Sequence, residues 1–369
     1  MAHEFIDGST AIVRGALAAG CDFFAGYPIT PASPILQMMM TELPARGGIA
    51  IQGEDEIASI GMCIGATLGG ARTFTATSGP GISLYSENIG LAIIGEIPLV
   101  IVDVQRLGPA TGGATTVGQG DVQFVRWGTA GGYPIIALAP SKVEECYTLT
   151  MRAFDLAERF RCPVFLLTDK DLNMTMRTVD PAALTEWAVR DRNYRKGDEG
   201  PQYRYQPPDG VPPIGRYGDE IVRFTGSSHN EDAVITKNPA TVGALNEHLA
   251  AKIDDHLDEI EMVTLDHQDG AATLILAYGA TAGAARAAVR QTRADGGRVS
   301  LLVVQSLWPV PEQAIKTALA GVSRVVAPEL NLGLYRREIE RLASGHQIVG
   351  VNRVDGKLIT PEQIIEVLS

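Results

Sequence analysis

Four short stretches of this sequence set polar or charged side chains at the ends of apolar runs, and each suits a different piece of chemistry. Tyr27-Pro28-Ile29-Thr30-Pro31 follows the run Phe23 to Gly26. Its prolines fix φ and bias the residues before them toward extended geometry, so the Thr30 hydroxyl sits on a stiff loop, a good anchor for an anion or carboxylate. The plainer reading is a rigid strand-to-helix turn with Pro31 at the first helical position. Glu54-Asp55-Glu56 precedes Ile57 to Ala71, a stretch without a single charge. A helix apolar on every side is expected to be buried on every side, carrying its start into the interior. Charge complementarity to the helix N-terminus, worth about 0.3 to 1 kcal/mol per group, accounts for Glu54 and Asp55. Glu56 shares a face with Ile60, Cys63 and Ile64, so it is the hardest of the three to place in water. A buried carboxyl of that kind is a candidate proton partner.

Thr77-Ser78-Gly79-Pro80-Gly81 is another strand-to-helix turn whose glycines permit close backbone approach. It lacks the Lys-Ser/Thr of a P-loop and the spacing of a dinucleotide fingerprint, so close packing against a neighbouring loop or partner is favoured over phosphate binding. The loop Gln105 to Gly120 is uncharged except for Arg106 and rich in Gly and Thr. Arg106 comes directly after the strand that begins with the apolar run Leu99 to Val102. Its guanidinium is therefore delivered to the same sheet edge as Thr30, where it suits bidentate carboxylate recognition. An ion pair with Asp103 or Asp121 is the competing use.

The elements that must position these residues follow a β-then-α rhythm. Phe23 to Tyr27, Ile49 to Gln52, Thr73 to Thr77, Leu99 to Val104 and Val164 to Thr168 read as buried strands with helical stretches between them, which predicts an α/β fold with a doubly wound parallel sheet. Ligands gather at the carboxyl ends of strands in such sheets, where all four stretches lie. From about Asp169 to Gln268 the rhythm breaks. Tyr203, Tyr205, Pro207, Pro208, Pro212 and Pro213 stand there among Gly and charged residues, which reads as a long connection with little core of its own and one helical part, Val242 to Ile260. A second α/β unit follows, with strands expected at Leu274 to Ala277, Val299 to Val304, Arg324 to Ala327 and Ile348 to Val351. The divisions expected are residues 1–190, an extended linker over 191–269, and a smaller domain over 270–369.

Composition narrows the class of partner. The 369 residues carry a formal net charge of -12 with pI near 5.0 and no Lys/Arg cluster, which argues against a nucleic-acid role. There is no run of 18 apolar residues, and the first ten residues carry His3, Glu4 and Asp7 rather than a basic then apolar signal, so a cytoplasmic protein without a membrane partner is expected. Cys21, Cys63, Cys146 and Cys162 are far apart in apolar surroundings, and no metal or iron–sulfur spacing is written.

Taken together, Ala25 to Pro31, Glu54-Asp55-Glu56-Ile57-Ala58, Thr77 to Gly81, and Val104-Gln105-Arg106 with the later Gly120-Asp121 resemble the alpha subunits of 2-oxoacid:ferredoxin oxidoreductases. The resemblance is specific in order and spacing and covers essentially the whole chain. Trp308-Pro309-Val310-Pro311 and Glu329-Leu330-Asn331-Leu332-Gly333 resemble that family's transketolase-C-like second domain. Leu334 stands where many relatives carry Gln, and the family's gamma domain is missing, which implies a separate gamma chain or none.

The resemblance implies a pyrimidine-type thiamine-diphosphate-binding domain at residues 1–190 and a transketolase C-terminal-like domain at 270–369. It implies a beta subunit that binds thiamine diphosphate, its Mg and a 4Fe-4S cluster, with the alpha subunit completing the site. This sequence has no Gly-Asp-Gly for the cofactor's metal, so any contact is with the pyrimidine end. On the family's pattern Glu56 bonds N1′ of the aminopyrimidine and promotes proton loss at C2, Tyr27, Pro28 and Ile29 line the cofactor, and Thr30 and Arg106 hold the substrate's 1-carboxylate. Ferredoxin takes the electrons and coenzyme A the acyl group. The Glu-Asp-Glu-Ile-Ala-Ser-Ile form is most like the 2-oxoglutarate branch, which would make succinyl-coenzyme A; branched-chain (2-oxoisovalerate) and pyruvate enzymes are the neighbouring alternatives. Two readings of other classes stand beside these: a non-catalytic scaffold in which the motifs are packing turns, and an independent transketolase-type transferase, which would need a metal motif.

Overall fold

Every apolar run expected as a strand forms one in the computed structural model, which describes residues 3–196 and 200–368. The strands in chain order are β1 (Glu4–Ile6), β2 (Phe23–Gly26), β3 (Ile49–Gln52), β4 (Thr73–Thr77), β5 (Leu99–Gln105), β6 (Ile136–Leu138), β7 (Pro163–Asp169), β8 (Arg177–Val179), β9 (Val263–Asp266), β10 (Thr273–Ala277), β11 (Ser300–Val304), β12 (Ser306–Trp308), β13 (Arg324–Glu329) and β14 (Gln347–Asn352). A seven-stranded sheet has the order β12-β6-β7-β5-β4-β2-β3, parallel except at β12. A five-stranded sheet has the order β14-β13-β10-β11-β9, parallel except at β9. β1 and β8 form a separate antiparallel ribbon.

The larger sheet is buried on both faces because helices cover both. Gly8–Ala18, Ser33–Glu42 and Val143–Phe160 pack on one side, while Glu56–Leu68 and Ser86–Ile94 pack on the other. Every residue of β4, β5 and β7 is buried, as expected of parallel strands so covered. Leu274, Leu276, Tyr278 and Trp308 from the C-terminal half join Ile60, Ile82 and Ile101 in one apolar core, so the two halves share an interior. β2 has β3 on one side and β4 on the other, so the strand order reverses there and a crevice opens beyond its carboxyl end.

Five strands were not read in the sequence: β1 and β8, which make the separate ribbon, and β6, β9 and β12. β6 is three residues long and follows Gly131-Gly132, too short for any periodicity to show. β9 lies antiparallel at a sheet edge, with residues 264 to 266 exposed. β12 leaves the C-terminal half and pairs with β6 of the first sheet, which closes that edge; the Trp308 indole N–H donates to the Val122 carbonyl at 3.0 Å beside it.

The connection from 191 to 269 is held by more than backbone. Tyr203, Tyr205, Ala233, Leu245 and Leu249 form a small apolar cluster, and helices run over Pro239–Asp254 and Leu257–Ile260. Beneath it, Glu96 is fully buried at a positive φ of 50°. Its Oε2 accepts from His248 Nε2 and Lys252 Nζ, each at 3.0 Å, and His248 Nδ1 lies 2.8 Å from the Pro208 carbonyl. Arg161 donates to the Pro212 carbonyl at 3.1 Å. Burial alone would raise the Glu96 carboxyl, but Lys252, Arg161 and His248 outweigh it and hold the group well below the usual carboxylate range. The stability this gives is therefore present at neutral pH and lost only in acid, below the ordinary glutamate pKa of about 4.3. Glu96→Ala would leave Lys252 buried and uncompensated; a loss of about 3 to 5 kcal/mol is expected in urea unfolding, or failure to fold, and a loss under about 1 kcal/mol would show that the network does not hold the connection.

Candidate active site

The crevice at β2 and β4 receives the ends of four neighbouring strands. The chain leaves β2 through Tyr27 and Pro28, both exposed, then half-buried Ile29 and Thr30, and enters the helix Ser33–Glu42. That helix starts two residues later than a first-position Pro31 would require; Pro31 belongs to the turn before it, and Pro34 takes the early helical place. The stiff loop is thus retained and the simple helix-start reading is not.

After β3, the three acids divide their work. Glu54 is exposed, and Asp55 is the N-cap of the helix Glu56–Leu68, accepting from the Ala58 N–H at 2.7 Å. Glu56 opens the helix, is only 7% exposed, and makes no hydrogen bond to another described residue. It shares its buried face with Ile60, Cys63 and Ile64, as the spacing required. The opposite face departs from expectation. Ile57 is 50% exposed and Gly61 and Gly65 are open, with nothing within 4 Å of where their Cβ atoms would be. The helix is apolar all round, yet only half of it is covered within this chain.

After β4, the turn Ser78-Gly79 leads into the short helix Pro80–Leu84. Gly79 has φ of 46°, and a Cβ there would lie 3.2 Å from Arg106 Nε; a Cβ on Gly81 would lie 2.1 Å from Thr77 Oγ1 and 2.9 Å from Glu56 Oε1. The glycines therefore let this turn pack against the chain's own polar groups. After β5, Arg106 is 5% exposed and its Nη1 donates to the Thr30 carbonyl. Among the described residues it forms no ion pair with Asp103 or Asp121, so the guanidinium spans the crevice instead of turning back.

Arg106 begins a loop fixed at its far end by the C-terminal half. Gln119 N–H donates to the Leu330 carbonyl at 2.9 Å, and Asn331 Nδ2 donates to the Gln119 carbonyl at 2.7 Å. Several buried polar atoms around Arg106 have no hydrogen-bond partner among the described residues. They are Thr77 Oγ1, Ser78 Oγ, both carboxyl oxygens of Asp103, Arg106 Nε and Asp121 Oδ2. Buried polar groups left unpaired cost about 1 to 3 kcal/mol each, so their concentration at one strand-end crevice marks a place completed by something else.

This geometry has known counterparts. Residues 14–248 match the family model described as pyruvate flavodoxin/ferredoxin oxidoreductase, thiamine diphosphate-binding, and residues 271–364 match pyruvate:ferredoxin oxidoreductase core domain II. The chain belongs to the pyruvate flavodoxin/ferredoxin oxidoreductase family. It is 38% identical to the 2-oxoglutarate synthase subunit KorA of Methanothermobacter thermautotrophicus over 99% of this chain and 97% of that one. It is 36% identical to the ketoisovalerate oxidoreductase subunit VorB of the same organism over 99% of this chain and 97% of that one. A solved 2-oxoglutarate:ferredoxin oxidoreductase from Magnetococcus marinus, with 2-oxoglutarate, coenzyme A and succinyl-CoA bound, superposes with a TM-score of 0.92 at 30% identity. The match takes in 99% of this chain and 64% of that longer one.

In this oxidoreductase subunit, Thr30, Glu56 and Arg106, chosen from sequence, do converge on one crevice. What sequence reading missed is that Asp103 and Asp121 are buried close enough to act on each other's charge, the anchoring of Arg106's loop through Gln119 and Asn331, and the reason for Gly81. Only the last had a local signal, a glycine early in a helix. Gly81→Ala would gain up to about 1 kcal/mol of helix propensity, yet its methyl meets Thr77 of a wholly buried strand. Overpacking of about 1 to 3 kcal/mol should win, giving a folded protein with a lower urea midpoint; a raised midpoint would show that the turn has room to spare.

Proposed function

We propose that this chain supplies one half of a thiamine diphosphate site in a 2-oxoglutarate:ferredoxin oxidoreductase, which oxidatively decarboxylates 2-oxoglutarate to succinyl-coenzyme A and reduces ferredoxin. The observation that carries this reading is the reach of Arg106 across the crevice to Thr30, with buried, unpaired Glu56 two residues away along the Gly79-Pro80-Gly81 turn. KorA likeness over nearly the full length supports the choice of substrate.

The crevice fits the pyrimidine end of the cofactor. Glu56 offers a carboxyl with no partner in the chain, and Tyr27 and Pro28 present an open shelf beside half-buried Ile29. Nothing here fits a metal-bound diphosphate: no Gly-Asp-Gly occurs, and no group of three or more His, Cys, Asp or Glu among the described residues could hold a metal ion. Mg and the 4Fe-4S cluster are therefore assigned to a beta subunit. The uncovered face of the helix Glu56–Leu68, with Ile57, Gly61 and Gly65, is where that subunit would seat and bring the cofactor to Glu56. A gamma component would be a separate chain, and the complex would work in the cytoplasm with ferredoxin.

Thiamine diphosphate, when bound, supplies the electron sink that lets a 2-oxoacid lose carbon dioxide. Glu56 holds a proton at N1′ of the pyrimidine, in a site whose low polarity strengthens that bond. The Thr30 hydroxyl and the unused edge of the Arg106 guanidinium take the 1-carboxylate, which fixes the 2-oxo carbon for reaction. Buried apolar residues behind both groups keep water from competing.

Assay of the complex with 2-oxoglutarate, 2-oxoisovalerate and pyruvate, each with coenzyme A, should show preference for 2-oxoglutarate. Glu56→Gln should lower 2-oxoacid-dependent ferredoxin or dye reduction at least about a hundredfold; full retention would return the chain to the role of scaffold. Arg106→Ala and Thr30→Ala should raise KM, Arg106→Ala by about ten- to a hundredfold, the loss of one charge-assisted contact. Unchanged KM with weakened subunit assembly would sink the carboxylate assignment.

A further inference from the structure

Two acids in the crevice have no part in the scheme above. Asp103, near the end of β5, is fully buried; no described side chain donates to either of its carboxyl oxygens, and of the backbone groups near it the Gly79 N–H favours its ionised form. Asp121 closes the loop that Arg106 opens; its N–H donates to Gln105 Oε1 at 3.1 Å, while its buried Oδ2 also lacks a partner. The two carboxyl groups are within hydrogen-bonding reach of each other. As carboxylates both are acceptors only, so neither can satisfy the other unless one carries a proton.

The surroundings do not supply the missing charge. Arg106 is the one cation among the groups acting on the pair, and it faces the Thr30 carbonyl. From β4, the register partner of Asp103 is uncharged Thr77. Beyond Thr77 stands Glu56, another acid. On β7 the nearby acid is Asp169, already occupied by the N–H groups of Leu172 and Ala280. Burial first, then the charge of Asp121, pushes Asp103 well up, and burial pushes Asp121 up to about 6. Two buried carboxyls this close cannot both ionise without large cost, and they titrate as a unit.

We propose that Asp103 and Asp121 share one proton at neutral pH and act as a positioning pair for Arg106, leaving its guanidinium free for the substrate's 1-carboxylate. When the shared proton is lost, the doubly charged pair draws Arg106 back as its counter-ion, and the carboxylate site loses its anchor. Arg106 Nε, which faces no acceptor and lies beside the turn that carries Gly79, is the atom such a turn would use. The pair does not touch the reacting atoms; it acts through Arg106. The proposal rests on Arg106 holding the substrate carboxylate.

The test uses the complete complex with 2-oxoglutarate as the probe. Wild type should show a KM that rises about ten- to a hundredfold toward alkaline pH while kcat changes less, since only the anchoring contact is lost. Asp103→Asn and Asp121→Asn mimic the protonated pair at every pH, because the amide donates to the remaining carboxylate, and both should flatten that rise. Independently of turnover, the infrared spectrum of wild type at neutral pH should contain a protonated-carboxyl band that shifts in deuterium oxide and is absent from both variants. Absence of that band, or a KM profile that is the same in wild type and Asp103→Asn, overturns the proposal. If Arg106→Ala itself leaves KM unchanged, the carboxylate reading has failed; if Arg106→Ala raises KM and the Asn variants change nothing, only the proton-sharing pair has.

Discussion

The hydrogen bond from Arg106 to the Thr30 carbonyl is the interaction on which the site depends. A parallel sheet that reverses its strand order must open at the reversal, and here the gap falls beyond the carboxyl end of β2. Backbone groups leaving β2 there have no neighbouring strand to pair with. Arg106 provides a partner from the far side, and in doing so converts two loops into one rigid wall. Its own loop is then held by Gln119 against Leu330 and Asn331, so the second sheet sets the position of a side chain in the first. The shared apolar core and the crossing of β12 into the larger sheet make that transfer stiff. The C-terminal half thus helps to fix the crevice of the first sheet.

The helix Glu56–Leu68 shows what a single chain leaves unfinished. Its buried face holds Glu56 above Ile60, Cys63 and Ile64, while Ile57, Gly61 and Gly65 look outward. On the reading proposed above, the rule that an all-apolar helix is interior holds for the assembled protein and not for the single chain. Glycines on that outward face let another backbone come close, and the relatives are named as subunits of multi-chain enzymes. Glu56 is therefore buried on one side by its own core, on a helix whose other side is open.

How much of this was legible in sequence varies with range. Local rules placed β2 to β5 and β7, and spacing alone singled out Glu56 from Glu54 and Asp55, because a difference of one or two residues in helical phase is decisive when the following turns are apolar. The family resemblance added roles for Thr30 and Arg106 that spacing left open against an ion pair. Contacts between distant segments could not be read. Nothing near Glu96 announces His248 or Lys252, more than 150 residues later, and the long connection therefore looked emptier than it is. Asp103 and Asp121 were both visible as acids near Arg106, but whether they face the guanidinium or each other depends on how the loop between them returns.

The two buried acidic clusters differ in how their charge is offset, and that difference separates structure from function. Glu96 has the Lys252 ammonium and the His248 ring on it, with Arg161 nearby; its ionised state is satisfied, and it can do little but hold segments together. Asp103 has only Arg106 acting on it as a cation, without an ion-pair contact, and lies at a strand end with unpaired hydroxyls of Thr77 and Ser78 around it. A fold that needed a carboxylate there only for packing would have gained from an amide or an apolar side chain of the same size, which avoids the desolvation cost. Keeping two acids beside Arg106 makes physical sense if their joint charge is adjustable. On the proposal above, one proton decides whether that arginine is free to hold a substrate or is spent inside the protein.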